Sequence, residues 1–253
     1  MKKIISLIKR VVLHQDYIAP FSGDLNGKTI LITGGSKGIG KAIAETLLTE
    51  GAKVILVSRS TINVKKEFKK YNINNIYSRI ADVSIEEDVV SLVEYIKSEF
   101  GFIDVVINNA GQNIDKKLEK TTLTNFEDII NINLKGTYLV CRSVLPMLKR
   151  QRRGTIINIG SKISHNTNVK ANKVLYATSK YAIEGFSYAL NKELKPYGVR
   201  SICLMPGTVN TFLSRDIEKY MSVYDVATVV MMVIKLENID FEGIVFKSVK
   251  QNI

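Results

Sequence analysis

A tyrosine and a lysine four residues apart, Tyr176 and Lys180, have the clearest chemical potential in this 253-residue chain. In a helix, side chains four positions apart project from the same face. A tyrosine with an ordinary pKa of about 10 is a poor acid or base at neutral pH, but a nearby cation stabilises the phenolate and lowers that pKa. The pair therefore predicts a proton-transfer group whose pKa the ammonium depresses.

Two further polar residues could complete such a site. Ser161 closely follows an apolar run at 155–159 and can hydrogen-bond a substrate carbonyl beside the tyrosine. Asn133 could hold a water or a backbone group that continues a proton path from Lys180. The spacing Tyr-x-x-x-Lys alone has little specificity, because an exposed helical pair explains it equally well. Its weight depends on the motifs around it.

A glycine-rich turn near residue 34 has the features of a phosphate site. The apolar, β-branched run at 29–32 predicts a strand buried on both faces, and Gly34, Gly38 and Gly40 follow it. A helical pattern comes next and stops at Gly51. Glycines let the backbone approach a ligand, and the free N–H groups at a helix start attract anions. The spacing is not Gly-x-Gly-x-x-Gly, so the cluster alone also fits a bare turn.

Strands and helices alternate along the rest of the chain. Short apolar runs predict strands at 29–32, 53–57, 76–80, 104–107, 155–159, 200–204 and 243–249. Helical patterns lie between them, notably at 63–71, 123–131, 133–149, 176–195 and 225–236, and Ser84 with Glu87 predicts a capping box before another helix. The alternation predicts an α/β fold, a doubly wound, Rossmann-like parallel sheet of about seven strands in a single domain.

The predicted fold places the unusual residues together. In doubly wound sheets, ligands bind at the carboxyl ends of the strands. The glycine turn, the sequence Asn108-Asn109-Ala110-Gly111 and Ser161 all follow predicted strands. We therefore expect one active site at this edge of the sheet.

The domain organisation follows from where the first strand begins. We expect residues 1–26 to form a basic extension with a helical pattern, and residues 27–253 to form one domain, which the glycine turn predicts to be a dinucleotide-binding catalytic domain. Residues 1–13 could be a basic amphipathic helix. Such a helix packs on its own domain or a partner subunit, or makes peripheral contact with an anionic membrane.

The composition narrows the partners. Lys and Arg number 36 against 24 Asp and Glu, a formal charge of +12 that favours anionic partners. The basic residues are spread along the chain, no recognition motif is present and Trp is absent, which argues against nucleic acid. The longest uncharged run, 201–214, is too short to span a bilayer. Cys141 and Cys203 lie in apolar stretches, as expected of buried thiols in a reducing, cytoplasmic compartment.

From about residue 27 to its end, the chain resembles a classical short-chain dehydrogenase/reductase. The residues that carry the resemblance are Thr33-Gly34-x-x-x-Gly38-x-Gly40, Asn108-Asn109-Ala110-Gly111, Asn133, Ser161, Tyr176-x-x-x-Lys180, and Pro206-Gly207 with Thr211. Together these motifs are highly specific.

The resemblance implies an oxidoreductase and assigns roles to its residues. Tyr176 would be the general acid in carbonyl reduction, and Lys180 would bind the nicotinamide ribose and depress the tyrosine pKa. Ser161 would orient the carbonyl, and Asn133 would support the proton relay. No metal is implied. The implied cofactor-binding residues are Gly34, Ser36, Lys37, Gly38, Ile39, Gly40, Ser58, Arg59, Asp82, Val83, Asn109, Ala110, Gly111, Tyr176, Lys180, Pro206, Gly207, Val209 and Thr211.

The end of the second strand predicts which dinucleotide binds. Enzymes specific for the unphosphorylated cofactor usually carry an acidic residue there, which holds the ribose hydroxyls. Here Ser58 occupies that place, Arg59 follows it, and Lys37 lies in the glycine turn. Two cations without a carboxylate suit a 2′-phosphate. The sequence therefore predicts NADP(H).

The predicted function is reduction of a ketone or aldehyde, on a small molecule or on a carrier. A 3-oxoacyl group on an acidic carrier protein is a reasonable substrate for a basic protein, and sugar, steroid-like and other small carbonyls stay open. The loop at 162–173 carries Lys162, His165, Lys170 and Lys173, as a basic rim or a solvated loop, and the substrate-covering segment is reduced to about 211–224.

Oligomer formation and two rival functions complete the interpretation. By resemblance, the helices at 133–149 and 176–195 pair subunits in a homodimer or homotetramer. One rival is a non-catalytic nucleotide-binding regulatory protein on the same fold. The other is a membrane-recruited protein in which the basic N-terminus matters more than the chemistry.

Overall fold

The computed structural model describes residues 23–165, 169, 171–211 and 220–249. The basic helix predicted at 1–13 lies outside these residues. So do parts of two predicted segments, residues 166–168 and 170 of the basic loop and residues 212–219 of the substrate-covering segment.

Seven parallel strands form the central sheet. The strands of the described residues are β1 Thr29–Thr33, β2 Lys53–Ser58, β3 Ile76–Ile80, β4 Val105–Asn108, β5 Gly154–Ile159, β6 Val199–Pro206, β7 Val209–Asn210, β8 Met221–Ser222 and β9 Gly243–Phe246. The sheet order is β3-β2-β1-β4-β5-β6-β9, and β7 pairs with β8 separately. The order reverses direction between β1 and β4, which is where doubly wound sheets bind ligands. The predicted Rossmann-like sheet is confirmed.

Helices cover both faces of this sheet. They are α1 Gly38–Thr49, α2 Val64–Glu67, α3 Glu86–Glu99, α4 Leu123–Ile130, α5 Gly136–Gln151, α6 Val174–Leu194 and α7 Val223–Lys235. On β1, Ile30 and Ile32 pack in one core with α1 and α7, whereas Leu31 packs in the other with α3, α5 and α6. Burial on both faces explains why the strands are nearly continuous apolar runs.

Three local predictions differ from the structure. The helix predicted at 63–71 is only the single turn α2, after which Phe68 enters the core. The strand predicted at 243–249 ends at Phe246. The capping box is wrong, because the Ser84 hydroxyl donates to an Asp82 carboxylate oxygen at 2.6 Å and Ile85 occupies the N-cap of α3. The carboxylate before the serine thus captures the hydroxyl that was expected to cap the helix.

The two helices predicted at 123–131 and 133–149 are joined, but not by regular α-helix. Between α4 and α5, residues Asn131–Lys135 form a π-helical turn. Such turns insert about one extra residue into a helix and are frequent at functional sites. This turn contains Asn133, which is buried.

Candidate active site

One large cleft lies at the carboxyl ends of the strands. Its volume is about 1270 Å³, more than one small ligand usually fills. Of the predicted cofactor residues, all but Gly40 line this cleft, as do the predicted catalytic residues Ser161, Tyr176 and Lys180. Asn133 does not line the cleft and is buried behind the residues that do. The structure therefore brings together residues that are far apart in the sequence.

The turn between β1 and α1 needs glycine at three positions. Gly34 and Gly38 have φ values of 66° and 56°, in the left-handed region that side chains disfavour. A Cβ on Gly40 would lie 2.3 Å from the Gly34 carbonyl oxygen, so only glycine lets α1 begin this close to the turn. The result is an open backbone cradle at the start of a 12-residue helix.

Asn109 holds this cradle against the end of β4. Its side-chain amide donates to the carbonyl oxygens of Thr33 and Gly34, at 3.0 and 3.1 Å. In return, the Thr33 hydroxyl accepts hydrogen bonds from the backbone N–H groups of Asn109 and Ala110. The first part of the Asn-Asn-Ala-Gly motif thus joins two strand ends.

A buried row of polar side chains continues from β4 to α6. The Asn108 amide donates to the Asn158 side-chain oxygen at 2.8 Å, and the Asn158 amide donates to Ser187 at 2.9 Å. Asn158 and Ser187 were not predicted to matter. The sequence did contain a signal for this contact: Asn158 is a polar residue inside the apolar run of β5, and buried polar groups in strands require hydrogen-bond partners.

Asn133 uses its side chain to fix a backbone segment. Its Oδ1 accepts from the Gln112 N–H at 2.8 Å, and its Nδ2 donates to the Gln112 carbonyl at 3.0 Å and to the Ser179 hydroxyl at 2.9 Å. Of the two partners considered in the sequence, a water or a backbone group, the described residues show the backbone group. Asn133 thereby ties the loop after β4 to α6.

Tyr176 and Ser161 meet at the centre of the cleft. Both side chains line the cleft. Burial raises the pKa of the Tyr176 phenol above its ordinary value; the Ser161 side chain acts to lower the pKa, and the negative charge of Asp115 to raise it. The expectation of a depressed tyrosine pKa is therefore wrong for the protein without a ligand, because desolvation outweighs the opposing effects.

Lys180 is almost completely buried one helical turn after Tyr176. Its ammonium donates a hydrogen bond to the Ile159 carbonyl at 2.7 Å. Burial lowers the pKa of Lys180 to about 8, because a charged ammonium is poorly solvated there. The same site therefore disfavours the charge of the lysine and the charge of the phenolate.

The other end of the cleft, beside β2, is more open. Ser58 is buried and its hydroxyl donates to the Ser60 carbonyl, whereas Arg59 and Lys37 are exposed cations that line the cleft. Burial raises the pKa of Asp82, but the hydrogen bonds from Ser84 and the charge of Arg59 leave it below its ordinary value. No carboxylate ends β2, as predicted from the sequence.

Two residues that sequence analysis did not assign also reach the site. The Lys173 ammonium, in the same cleft, forms an ion pair with Asp115 from the loop after β4. The Gln112 side chain also lines the cleft, and its Nε2 is buried without a hydrogen-bond partner among the described residues. The basic loop was noted in the sequence, but nothing there indicated which of its lysines faces the tyrosine.

The residues present fit a dinucleotide. The glycine cradle leaves room for a phosphate beside free N–H groups, and two cations lie at the end where an adenosine ribose would bind. Within the described part of the chain, no group of three or more side chains could hold a metal ion. None of its helices is long and apolar enough to cross a membrane.

Comparison with known proteins shows the class. The family model described as short chain dehydrogenase matches residues 28–222. The chain therefore belongs to the short-chain dehydrogenase/reductase family and is an NAD(P)-dependent oxidoreductase acting on alcohol and carbonyl groups.

Individual relatives are consistent with this. The chain is 37% identical to an uncharacterized oxidoreductase of Staphylococcus saprophyticus, over 76% of this chain and 83% of the relative. It is 35% identical to the 3-oxoacyl-acyl-carrier-protein reductase FabG of Salmonella typhimurium, over 75% and 76%. The structure resembles an alcohol dehydrogenase of the archaeon Thermococcus sibiricus complexed with 5-hydroxy-NADP, with a TM-score of 0.80 and 27% identity over 90% of this chain and 99% of the other.

Proposed function

We propose that this protein reduces a ketone or aldehyde with NADPH and that Tyr176 donates the proton. The observation that carries the proposal is that Ser161 and Tyr176 line the same cleft as the glycine cradle, with Lys180 one helical turn after Tyr176. A carbonyl oxygen between two hydroxyl donors is polarised and receives its proton from a group already in place.

The chain's own residues account for binding, orientation and proton transfer. When bound, the dinucleotide supplies a hydride to the carbonyl carbon. Ser161 holds the carbonyl oxygen, and the Tyr176 phenol proton passes to that oxygen as the C=O double bond becomes a single bond. Lys180 favours the phenolate that remains. Asn133 positions the loop at Gln112 and the start of α6, and so acts on geometry.

The preference for NADPH rests on the end of the cleft beside β2. Ser58 offers no carboxylate to the ribose hydroxyls, and its hydroxyl is already bonded to Ser60. Arg59 and Lys37 line the cleft as exposed cations, which suits the two negative charges of a 2′-phosphate. The Thermococcus sibiricus relative was solved with an NADP derivative.

For the substrate, we propose a carbonyl on a small molecule or on an acidic carrier, with a 3-oxoacyl group as the first candidate. The formal charge of +12 favours an acidic carrier, and FabG is named for reducing such a substrate. Other small carbonyl compounds are alternative substrates and are tested in the same screen. We also place the protein in the cytoplasm.

The subunit arrangement is a further part of the proposal. Tyr138 on α5 and Tyr181 on α6 are exposed aromatic side chains on the two helices expected to pair subunits. We propose a homodimer or homotetramer through these helices, with residues 1–26 as an extension of the catalytic domain 27–253 whose Leu25 packs in the domain core. Sedimentation of the wild type and of a Tyr138→Lys, Tyr181→Lys variant measures this; an unchanged mass would contradict the interface.

The test of the function is a carbonyl screen with Tyr176→Phe as its control. NADPH absorbance is followed with 3-oxoacyl thioesters, free or carrier-bound, and with simple ketones and aldehydes. We expect Tyr176→Phe to lose activity by a factor of about 10²–10⁴ and to bind NADPH with unchanged affinity. Activity in Tyr176→Phe equal to the wild type would remove the tyrosine from its role.

A further inference from the structure

Tyr176 has two ammonium groups near its ring. The nitrogen of Lys180 lies 5.8 Å from the ring centroid and that of Lys173 lies 5.7 Å from it. Lys180 belongs to the family motif, and its hydrogen bond is to a neutral carbonyl group of β5. Lys173 is not in the motif, and its partner is a carboxylate. The Tyr176 ring thus has two cations at nearly equal distance from its centroid, and one of them is paired with a counter-charge.

The position of Lys173 is unfavourable for a cation. It directly precedes the first residue of α6, where the helix dipole repels positive charge, and it makes no side-chain cap. Its side chain is only 20% exposed. The pairing with Asp115 offsets this cost and joins the loop after β4 to the start of α6. A cation kept in such a place is not explained by helix stability.

We propose that Asp115 and Lys173 form a charge pair that sets the proton affinity of Tyr176. This inference rests on the proposed role of Tyr176 as the proton donor. Lys173 attracts a phenolate and so favours release of the proton, whereas Asp115 repels it and so favours retention. Because the two charges oppose each other, the proton stays on Tyr176 until the substrate is in place, while an ammonium remains close enough to stabilise the resulting phenolate.

Other charged and titratable groups also surround the Tyr176 phenol. The charged and titratable side chains around Tyr176, among the described residues, are Lys173 just before α6, Lys180 and Glu184 on α6, Asp115 after β4, Lys162 and His165 after Ser161, and Cys203 on β6. Burial raises the pKa of the Cys203 thiol to about 12, so this thiol is mostly neutral below that pH. Within the described part of the chain, Glu184 is paired with His165, and Asp115 is the negative charge that acts on the Tyr176 phenol.

The first experiment titrates Tyr176 directly in the protein without cofactor. Tyrosine labelled at its ζ carbon is followed by NMR against pH, and Tyr176→Phe assigns the signal. We expect Asp115→Asn to lower the pKa of Tyr176 and Lys173→Met to raise it, each by about one unit. The double variant should fall between them. Lys173→Arg keeps the charge and should titrate like the wild type.

Matched controls remove the same charges nearby. Lys116 and Glu119 are exposed on the same segment after β4, and neither lines the cleft. The variants Lys116→Met and Glu119→Gln should leave the titration unchanged. Circular dichroism establishes that each variant is folded. Shifts no larger than those of the controls, or shifts of the same sign in Asp115→Asn and Lys173→Met, would overturn the proposal.

The second experiment measures kcat/KM for reduction against pH. Since a proton donor must be protonated, activity falls above its pKa, and this limb should move to lower pH in Asp115→Asn and to higher pH in Lys173→Met. A merely structural role would reduce kcat/KM at every pH without moving the limb. Retained activity in Tyr176→Phe would defeat the proposed function alone, because the NMR titration does not depend on turnover.

Discussion

The two ends of the cleft use cations in opposite ways. At the nucleotide end, Lys37 and Arg59 are exposed to solvent. At the reaction end, Lys180 is buried and Lys173 is mostly covered, and both lie within 6 Å of the Tyr176 ring. Exposed charges bind an anion at little cost to folding, whereas burial makes a charge costly and sensitive to its neighbours. Under the proposed function, the exposed cations recognise a phosphate and the covered cations control a proton.

The largest effect should come from the reaction end. Lys180→Met removes the buried ammonium, so a phenolate at Tyr176 loses its closest motif cation. We expect kcat to fall by a factor of about 10²–10³, while NADPH affinity, measured by fluorescence titration, falls much less. If kcat stays within a few-fold of the wild type, the buried cation has no special role.

The nucleotide end should control the choice of cofactor. Arg59→Gln should weaken NADPH binding by a factor of about 10–100, since it removes charged hydrogen bonds to the phosphate, and should leave NADH binding unchanged. The measurement is the ratio of kcat/KM for the two cofactors. Arg79→Gln, on the neighbouring strand β3 and outside the cleft, is the matched control. Equal losses for both cofactors would show that Arg59 does not read the phosphate.

A smaller effect is expected at the second exposed cation. Lys37→Gln should raise KM for NADPH by a factor of about three, because a single exposed contact contributes less than 1 kcal/mol. Added salt should shrink the difference between variant and wild type. A salt-independent loss would mean that Lys37 acts by shaping the turn.

The last prediction concerns stability, and it tests the cost of burying Lys180. Lys180 has a folded pKa of about 8, below its ordinary 10.5, so between these values the unfolded chain binds a proton that the folded chain lacks. Stability should therefore rise with pH across this window, by an amount on the order of 2 kcal/mol relative to Lys180→Met. Urea unfolding of both proteins at neutral pH and at about pH 10 measures it. A constant difference would contradict a buried, destabilised ammonium.

Sequence analysis correctly predicted the features that depend on residues close together in the chain. The apolar run of β1 and the glycine spacing defined the cradle, because strand burial and backbone conformation depend on residues a few positions apart. The alternation of elements was enough to predict the sheet and so to bring Ser161 and Tyr176 to the same edge. This part of the site needed no knowledge of packing.

Long-range contacts and desolvation were not predictable in this way. The pairing of Asp115 with Lys173 depends on how the loop after β4 approaches α6, and the raised pKa of Tyr176 depends on the depth of burial. Ser84 failed as a helix cap because Asp82 competes for its hydroxyl. Each of these features depends on which of several possible neighbours a side chain contacts in the folded protein.

The π-helical turn at Asn131–Lys135 lets one continuous helix satisfy two sets of contacts. It holds about one residue more than an α-helical turn, so a regular α-helix of the same sequence would rotate everything after it by about 100°. Either Asn133 would then turn away from the Gln112 backbone, or the buried face of α5 would turn out of the core. The wide turn allows the backbone anchor and the buried helix face to point in separate directions.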